Sequence, residues 1–213
     1  FGKVNVSFDG STCNYDHAPA DNELALTDGA AYFHYCSNNT IYGTRYAAPP
    51  ATPAPLICDA SSEMFSRPVD IDRHAMIYAG AQKNLGPSGV TLVIIRKDLM
   101  EDAAPGLPSM FTYSKLAAKG SRLNTPPTFG IYVMGQVFKW ILSRGGLEAV
   151  EVGHGGDVGP RQAGFRRGRT RIGDQRALVG AARELVVVQG SRNRHRGERA
   201  VGPAPHDVAD HVR

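Results

Sequence analysis

The sequence predicts an α/β layered domain, and three observations carry that expectation. Four short apolar runs bounded by turn residues recur in the first hundred positions, and one long stretch with helical periodicity follows them. Hydrophobic residues make up 42% of the 213 and charged residues 21%, which is enough to bury a core in one ordinary domain or in part of a larger one. Strands that read as continuous apolar runs are those buried on both faces of a sheet, with helices laid over them.

Each element has its own justification. The runs AAYFHYC (Ala30 to Cys36), PLICDA (Pro55 to Ala60), AMIYAGA (Ala75 to Ala81) and VTLVIIR (Val90 to Arg96) are short, apolar and bounded by turn residues, and read as strands buried on both faces. The Pro-rich segment Ala47 to Pro55 predicts a rigid surface connection, and loops or short helical stretches fill the other gaps. A helix is expected from Thr128 to Gly145. Phe129, Tyr132, Val133, Val137, Trp140 and Ile141 share its face, Pro126 and Pro127 stand at its start, and Gly145 and Gly146 close its end. Cys36 and Cys58, inside apolar strands, are expected in the core, and His34 and His74 are read as structural.

Composition excludes several classes. No apolar run approaches the roughly 18 residues of a membrane span, so a membrane protein is not expected. The cysteines, Cys13, Cys36 and Cys58, are odd in number and lack CxxC spacing. That argues against a disulfide framework or a structural zinc site and for a reducing, cytoplasmic compartment. No metal is expected. The chain starts at Phe1 with no signal segment, which predicts a fragment.

Charge divides the chain at about Glu151. Up to that residue twelve Lys and Arg face fourteen Asp and Glu, a net −2; beyond it twelve Arg, with no Lys, face six acids, a net +6. The tail, 152–213, holds eleven Gly and one aromatic, Phe165. So few large side chains predict a poorly folded extension, in which only Arg176 to Gly190 has the apolar content for a helix or strand. Two other readings of the tail stand beside this one. An Arg-rich arm could bind nucleic acid, but the aromatic interleaving and Lys of such arms are missing. A slipped reading frame in a GC-rich gene would also give abrupt Arg, Gly, Ala and Pro enrichment.

Two strand ends carry chemistry. Asp59 follows Leu56, Ile57 and Cys58 at the carboxyl end of a strand, where α/β sheets collect ligands. Lys83 follows another strand in a Gly- and Pro-containing turn near the expected interior. Alone, each has a bland reading, a turn-capping Asp and a solvated Lys. Together they have a specific use: a desolvated amine condenses with an aldehyde, and a carboxylate keeps a pyridinium nitrogen protonated, as pyridoxal phosphate requires.

SRPVDIDRHAMIYAGAQKNLGPSGVTLVIIRKDLM, with HYCSNNTIYGT upstream and NTPPTFGIYVMGQVFKWI downstream, closely resembles the phosphoserine aminotransferases. These are class V, fold type I enzymes that use pyridoxal 5'-phosphate in serine biosynthesis. The resemblance runs from about Lys3 to about Glu151 and rests on AGAQKN, GPSG and NTPPTF occurring together. It implies that 1–151 is an incomplete cofactor-binding large domain, the central fragment of a mostly parallel sheet flanked by helices.

The same resemblance implies site residues. Lys83 would be the Schiff-base lysine and Asp59 the partner of the pyridine nitrogen. Gln82 would contact the cofactor phosphate and Thr40 the ring substituent. Asn124 and Thr125 would reach the phosphate in a neighbouring subunit, which implies a homodimer; without the resemblance, Asn124 reads better as a helix cap. Asn38, Asn39 and Thr40 also form a glycosylation triplet, which has no meaning in the cytoplasm.

The implied reaction moves an amino group from L-glutamate to 3-phosphohydroxypyruvate, giving O-phospho-L-serine and 2-oxoglutarate. Bacterial members also act on a related phosphorylated oxoacid on the route to pyridoxine. The family's aromatic ring-stacking residue and its phosphate loop have no counterpart upstream. The small domain with its carboxylate-binding arginine has none downstream, so the chain as it stands is expected to be inactive. The alternatives are a desulfurase-like enzyme of the same cofactor class and a non-catalytic fragment with a basic tail.

Overall fold

A computed structural model describes residues 2–153 and the backbone of Arg183–Gln189. Apart from those seven residues and the end of the last helix, the expectations for the tail at 152–213 lie outside the described residues.

Five strands form one sheet in the order β1 (Phe33–Cys36), β2 (Leu56–Asp59), β3 (Met76–Gly80), β4 (Val90–Arg96), β5 (Arg183–Gln189). The first three run parallel, β4 opposes β3, and β5 opposes β4, so four of the five point the same way. The reversal at β4 follows from the short turn 81–89, because a parallel return needs a crossover of a dozen or more residues. β5 pairs along the whole of β4, from Val90 with Gln189 to Arg96 with Arg183. The one apolar stretch of the tail therefore supplies a strand, and it satisfies an edge of β4 that would otherwise present unpaired backbone groups.

Helices cover the sheet unequally. α3 (Thr128–Ser143) lies over one face, where Met134, Ile131 and Phe138 meet Tyr35, Leu56, Cys58, Ile77, Ala79, Leu85, Val90, Leu92 and Ile94. Its approach is close. A Cβ on Gly130 would fall 2.9 Å from a methyl of Val90, so only glycine lets helix and strand meet there. On the other face, α1 (Lys97–Glu101) and α2 (Tyr113–Ala118) pack Leu99, Met100 and Leu116 on Met76, Val93 and Ile95. α4 (Leu147–Gly153) follows α3 after Gly145 and Gly146, whose positive φ and a bond from Gly146 N–H to Ile141 C=O close the helix as expected.

Two expectations change. The strands are not all buried on both faces: His34 and Cys36 of β1 are exposed, so Cys36 is not a core residue. The apolar stripe assigned to α3 is divided. Phe129, Tyr132 and Trp140 are exposed, and the buried side is Gly130, Met134 and Ile141. Apolar residues occupy nearly the whole circumference of this helix, so periodicity could not choose the inward face.

Cys58 does lie in the core, and burial pushes its thiol up to about 11. An unfolded chain loses that proton near pH ~8.5, whereas the folded chain keeps it. The stabilisation is therefore whole below about pH 8.5 and is lost as the pH rises toward 11. Urea midpoints are expected to fall between pH 8 and pH 10.5, roughly, and to fall less in Cys58→Ala. An equal fall in both proteins would show that Cys58 is not the cause.

Candidate active site

Strand alternation aims Asp59. Leu56 and Cys58 of β2 are buried under α3, so Ile57 and Asp59 face the other way. The register sets Asp59, the last residue of β2, between Cys36, the last residue of β1, and Tyr78 in the middle of β3. Its Oδ1 accepts a hydrogen bond from Ser61 N–H at 2.9 Å, which fixes the carboxylate at the strand end. Burial, and then the Asp59 carboxylate, push the Tyr78 hydroxyl up to about 12. His34 Nε2 pairs with that hydroxyl at 2.9 Å.

Three segments converge on Lys83. Its own turn is closed by Ala81 N–H to Val90 C=O at 2.9 Å and Gly86 N–H to Ala81 C=O at 2.7 Å, with Gly86 at φ 149° beside the backbone of Met134. Lys83 Nζ donates to Thr40 Oγ1 at 2.7 Å and to Ser62 Oγ at 2.6 Å, and the two hydroxyl oxygens are 2.5 Å apart. Thr40 belongs to a loop after β1 held by Asn39 N–H to Thr44 C=O at 2.8 Å and Tyr46 N–H to Ser37 C=O at 3.0 Å. The Asn39 side chain accepts from the backbone of Ile41 and Tyr42 in the same loop. Ser62 lies in the turn after β2, where Met64 N–H donates to Ala60 C=O at 2.8 Å.

The Cys36 thiol lies within reach of both charges. Partial desolvation holds it above the ordinary range, opposed by a hydrogen bond to the Asn38 backbone; the Asp59 carboxylate raises it further and the Lys83 ammonium lowers it. Among the described residues Lys83 forms no ion pair. The oxygens that hold its ammonium there are the neutral hydroxyls of Thr40 and Ser62.

Asp59, Thr40 and Lys83 thus gather around the end of β1 and β2. Lys83 is exposed, not interior, because among the described residues no helix covers the face above β1 and β2. Gln82 is also exposed and its side chain lies against Gly80, in the space a Cβ there would take. Asn124 and Thr125 are exposed in the connection before α3, away from any hydrogen bond with the Lys83 cluster. The helix begins after Pro127, with no side-chain cap, so Asn124 is not its cap. The residue that sequence reasoning missed is Ser62. Its signal was the Ser61–Ser62 pair directly after the strand-end Asp59, in which Ser61 Oγ also accepts from Gly80 N–H at 3.0 Å. A cavity of about 280 Å³ lies elsewhere, lined by Tyr35, Tyr46, Cys58, Glu63, Arg67 and His74. Its lining includes the core-face residues Tyr35 and Cys58, so it is distinct from the amine and carboxylate site.

Known proteins share the sequence and fold of most of the described residues. A family model described as aminotransferase class-V matches residues 4–154. A phosphoserine aminotransferase of Lysinibacillus sphaericus is 53% identical over 138 residues, covering 64% of this chain and 38% of that protein. One from Desulfotalea psychrophila is 46% identical over 151 residues, covering 71% and 42%. Among solved structures, a phosphoserine aminotransferase from Bacillus circulans subsp. alkalophilus superposes with a TM-score of 0.69 at 46% identity, over 71% of this chain and 42% of that one. A pyridoxal phosphate-bound phosphoserine aminotransferase from Trichomonas vaginalis gives 0.61 at 42% identity, over 64% and 40%. The chain spans about two fifths of the length of the relatives it matches.

Proposed function

The chain belongs to the class-V aminotransferase family, and from that premise we propose that it is the pyridoxal phosphate-binding part of a phosphoserine aminotransferase. The observation that carries this reading is the Lys83 amine, held by two hydroxyls and, among the described residues, by no anion, near the end of the strand that carries the Asp59 carboxylate. That donor set fits the cofactor. An amine outside an ion pair can lose its proton and react as a nucleophile, and a strand-end carboxylate can keep a ring nitrogen protonated.

When bound, the cofactor supplies an aldehyde and an electron-withdrawing ring. The residues of this chain do the rest. Thr40 and Ser62 accept hydrogen bonds from Lys83 Nζ and so orient the amine. Nζ, once neutral, takes the α-proton of L-glutamate and later delivers a proton toward the carbon skeleton of 3-phosphohydroxypyruvate. Asp59, whose Oδ1 accepts from Ser61 N–H, would hold the proton on the ring nitrogen. Gln82 is assigned to the cofactor phosphate. Asn124 and Thr125 are assigned to the phosphate of a neighbouring subunit, so a homodimer belongs to the proposal. So does a cytoplasmic location, which the free thiols Cys13, Cys36 and Cys58 support. No helix among the described residues is long and apolar enough to cross a membrane.

The test is amino transfer. The full-length parent is expected to form O-phospho-L-serine from L-glutamate and 3-phosphohydroxypyruvate, and activity on cysteine sulfur instead would place it with the desulfurase-like enzymes. Ser62 can be tested on the chain itself. Losing one of two hydrogen bonds to a charged amine is expected to slow the reaction of Lys83 with pyridoxal phosphate about tenfold in Ser62→Ala, followed by absorbance. An unchanged rate would leave Ser62 without a role in orienting the amine.

A further inference from the structure

The loop after Gly10 gathers a second set of reactive side chains, far in sequence from the Lys83 turn. A 3₁₀ turn over Gly10–Cys13 ends at Asn14, and both Asn14 and Tyr15 adopt φ 55°. Tyr15 N–H donates to Gly10 C=O at 2.8 Å, and Asp16 N–H to Cys13 C=O at 3.3 Å. This reversal folds Asp16 and His17 back on Cys13. Cys13 Sγ, a carboxylate oxygen of Asp16 and a ring nitrogen of His17 lie within 4.8 Å of one another.

The surroundings aim these groups. His17 Nδ1 is 2.5 Å from Asp16 Oδ1, while Nε2, on the far side of the ring, is 3.2 Å from Glu23 Oε1. Glu23 is fixed in turn, because its other oxygen accepts from Ala20 N–H at 2.7 Å. Phe8 meets the His17 ring edge-on at 5.8 Å. The Tyr15 ring stacks on Tyr42 at 4.4 Å and occupies the space a Cβ on Gly10 would need.

Thiolate, imidazole and carboxylate together form a donor set for zinc-class cations, with bonds of about 2.0–2.3 Å. A carboxylate on the outer ring nitrogen is the usual device that fixes the tautomer and leaves the inner nitrogen free to ligate. Glu23 stands in that position. The lack of CxxC spacing excludes an all-cysteine site but not this mixed one, built on Cys-x-x-Asp-His in a loop.

We propose that Cys13, Asp16 and His17 bind a zinc-class divalent cation, with Glu23 orienting His17 and solvent filling the fourth position. The cation replaces the proton between His17 Nδ1 and Asp16 and the thiol proton of Cys13; both protons leave to solvent and no electrons move. Because Tyr15 stacks on Tyr42, two residues from Thr40, a loaded site would brace the loop that carries one of the Lys83 hydroxyls.

Cobalt(II) titrated into the full, reduced chain reads the site directly. A near-ultraviolet sulfur-to-cobalt band is expected to saturate at one equivalent, and zinc is expected to bleach it. Cys13→Ser is expected to abolish the band and Cys36→Ser to leave it, while Glu23→Gln weakens binding about tenfold or more. A second measurement needs no variant: zinc is expected to protect Cys13 of the unmodified chain from alkylation, read by peptide mass mapping. The proposal fails if no sulfur band forms at stoichiometric cobalt, if the band follows Cys36 instead of Cys13, or if zinc leaves Cys13 labelling unchanged.

Discussion

Lys83→Ala is expected to abolish covalent retention of pyridoxal phosphate while leaving the fold intact. The unmodified chain, mixed with the cofactor and reduced with borohydride, is expected to carry the cofactor mass on the peptide containing Lys83. In the variant that signal falls by more than about a hundredfold, since no other group replaces a positioned amine. Stability moves little. Lys83 is exposed and gives up two hydrogen bonds to exposed hydroxyls, so the change stays within about 0.5 kcal/mol. The two readouts separate a lost nucleophile from a lost fold. Undiminished labelling of the variant at other lysines would remove Lys83 from the proposed chemistry.

The largest effect on stability is expected at Ile77. This residue is fully buried in the central strand β3, where the register sets it between Cys58 of β2 and Ile94 of β4. All three side chains belong to the core beneath α3. Ile77→Ala removes buried methyl groups and leaves a void that packed strands cannot close, which costs about 2–5 kcal/mol. Ile77→Val, keeping the branch, costs about 0.5–1.5 kcal/mol. Urea unfolding followed by circular dichroism measures both. A midpoint that the alanine variant leaves unmoved would mean that the sheet is not packed as described.

Sequence patterns located the strands well because each is a short apolar run stopped by turn residues, and the four expected runs contain β1 to β4. They marked Asp59 and Lys83 as candidates because Asp59 ends one strand and Lys83 stands in the turn after another. Ser62 was less legible. A hydroxyl in a turn usually serves its own backbone, and its contact with Lys83 spans 21 residues. The faces of β1 and α3 were misread for a related reason. Apolar content shows that a side chain can be buried, whereas burial itself depends on which neighbouring elements arrive to cover it.

What this sequence determines alone is local: where strands start and stop, where Gly145 and Gly146 end the long helix, and which residue types stand at the strand ends. Only the tertiary structure decides that Thr40 and Ser62 share the Lys83 amine, that the Cys36 thiol feels both Asp59 and Lys83, and that Cys13 meets His17 across two left-handed residues. The physical reason is range. Propensity, period and capping act over a few bonds, while a site is made by parallel register and loop closure, which bring together side chains whose separation no local pattern encodes.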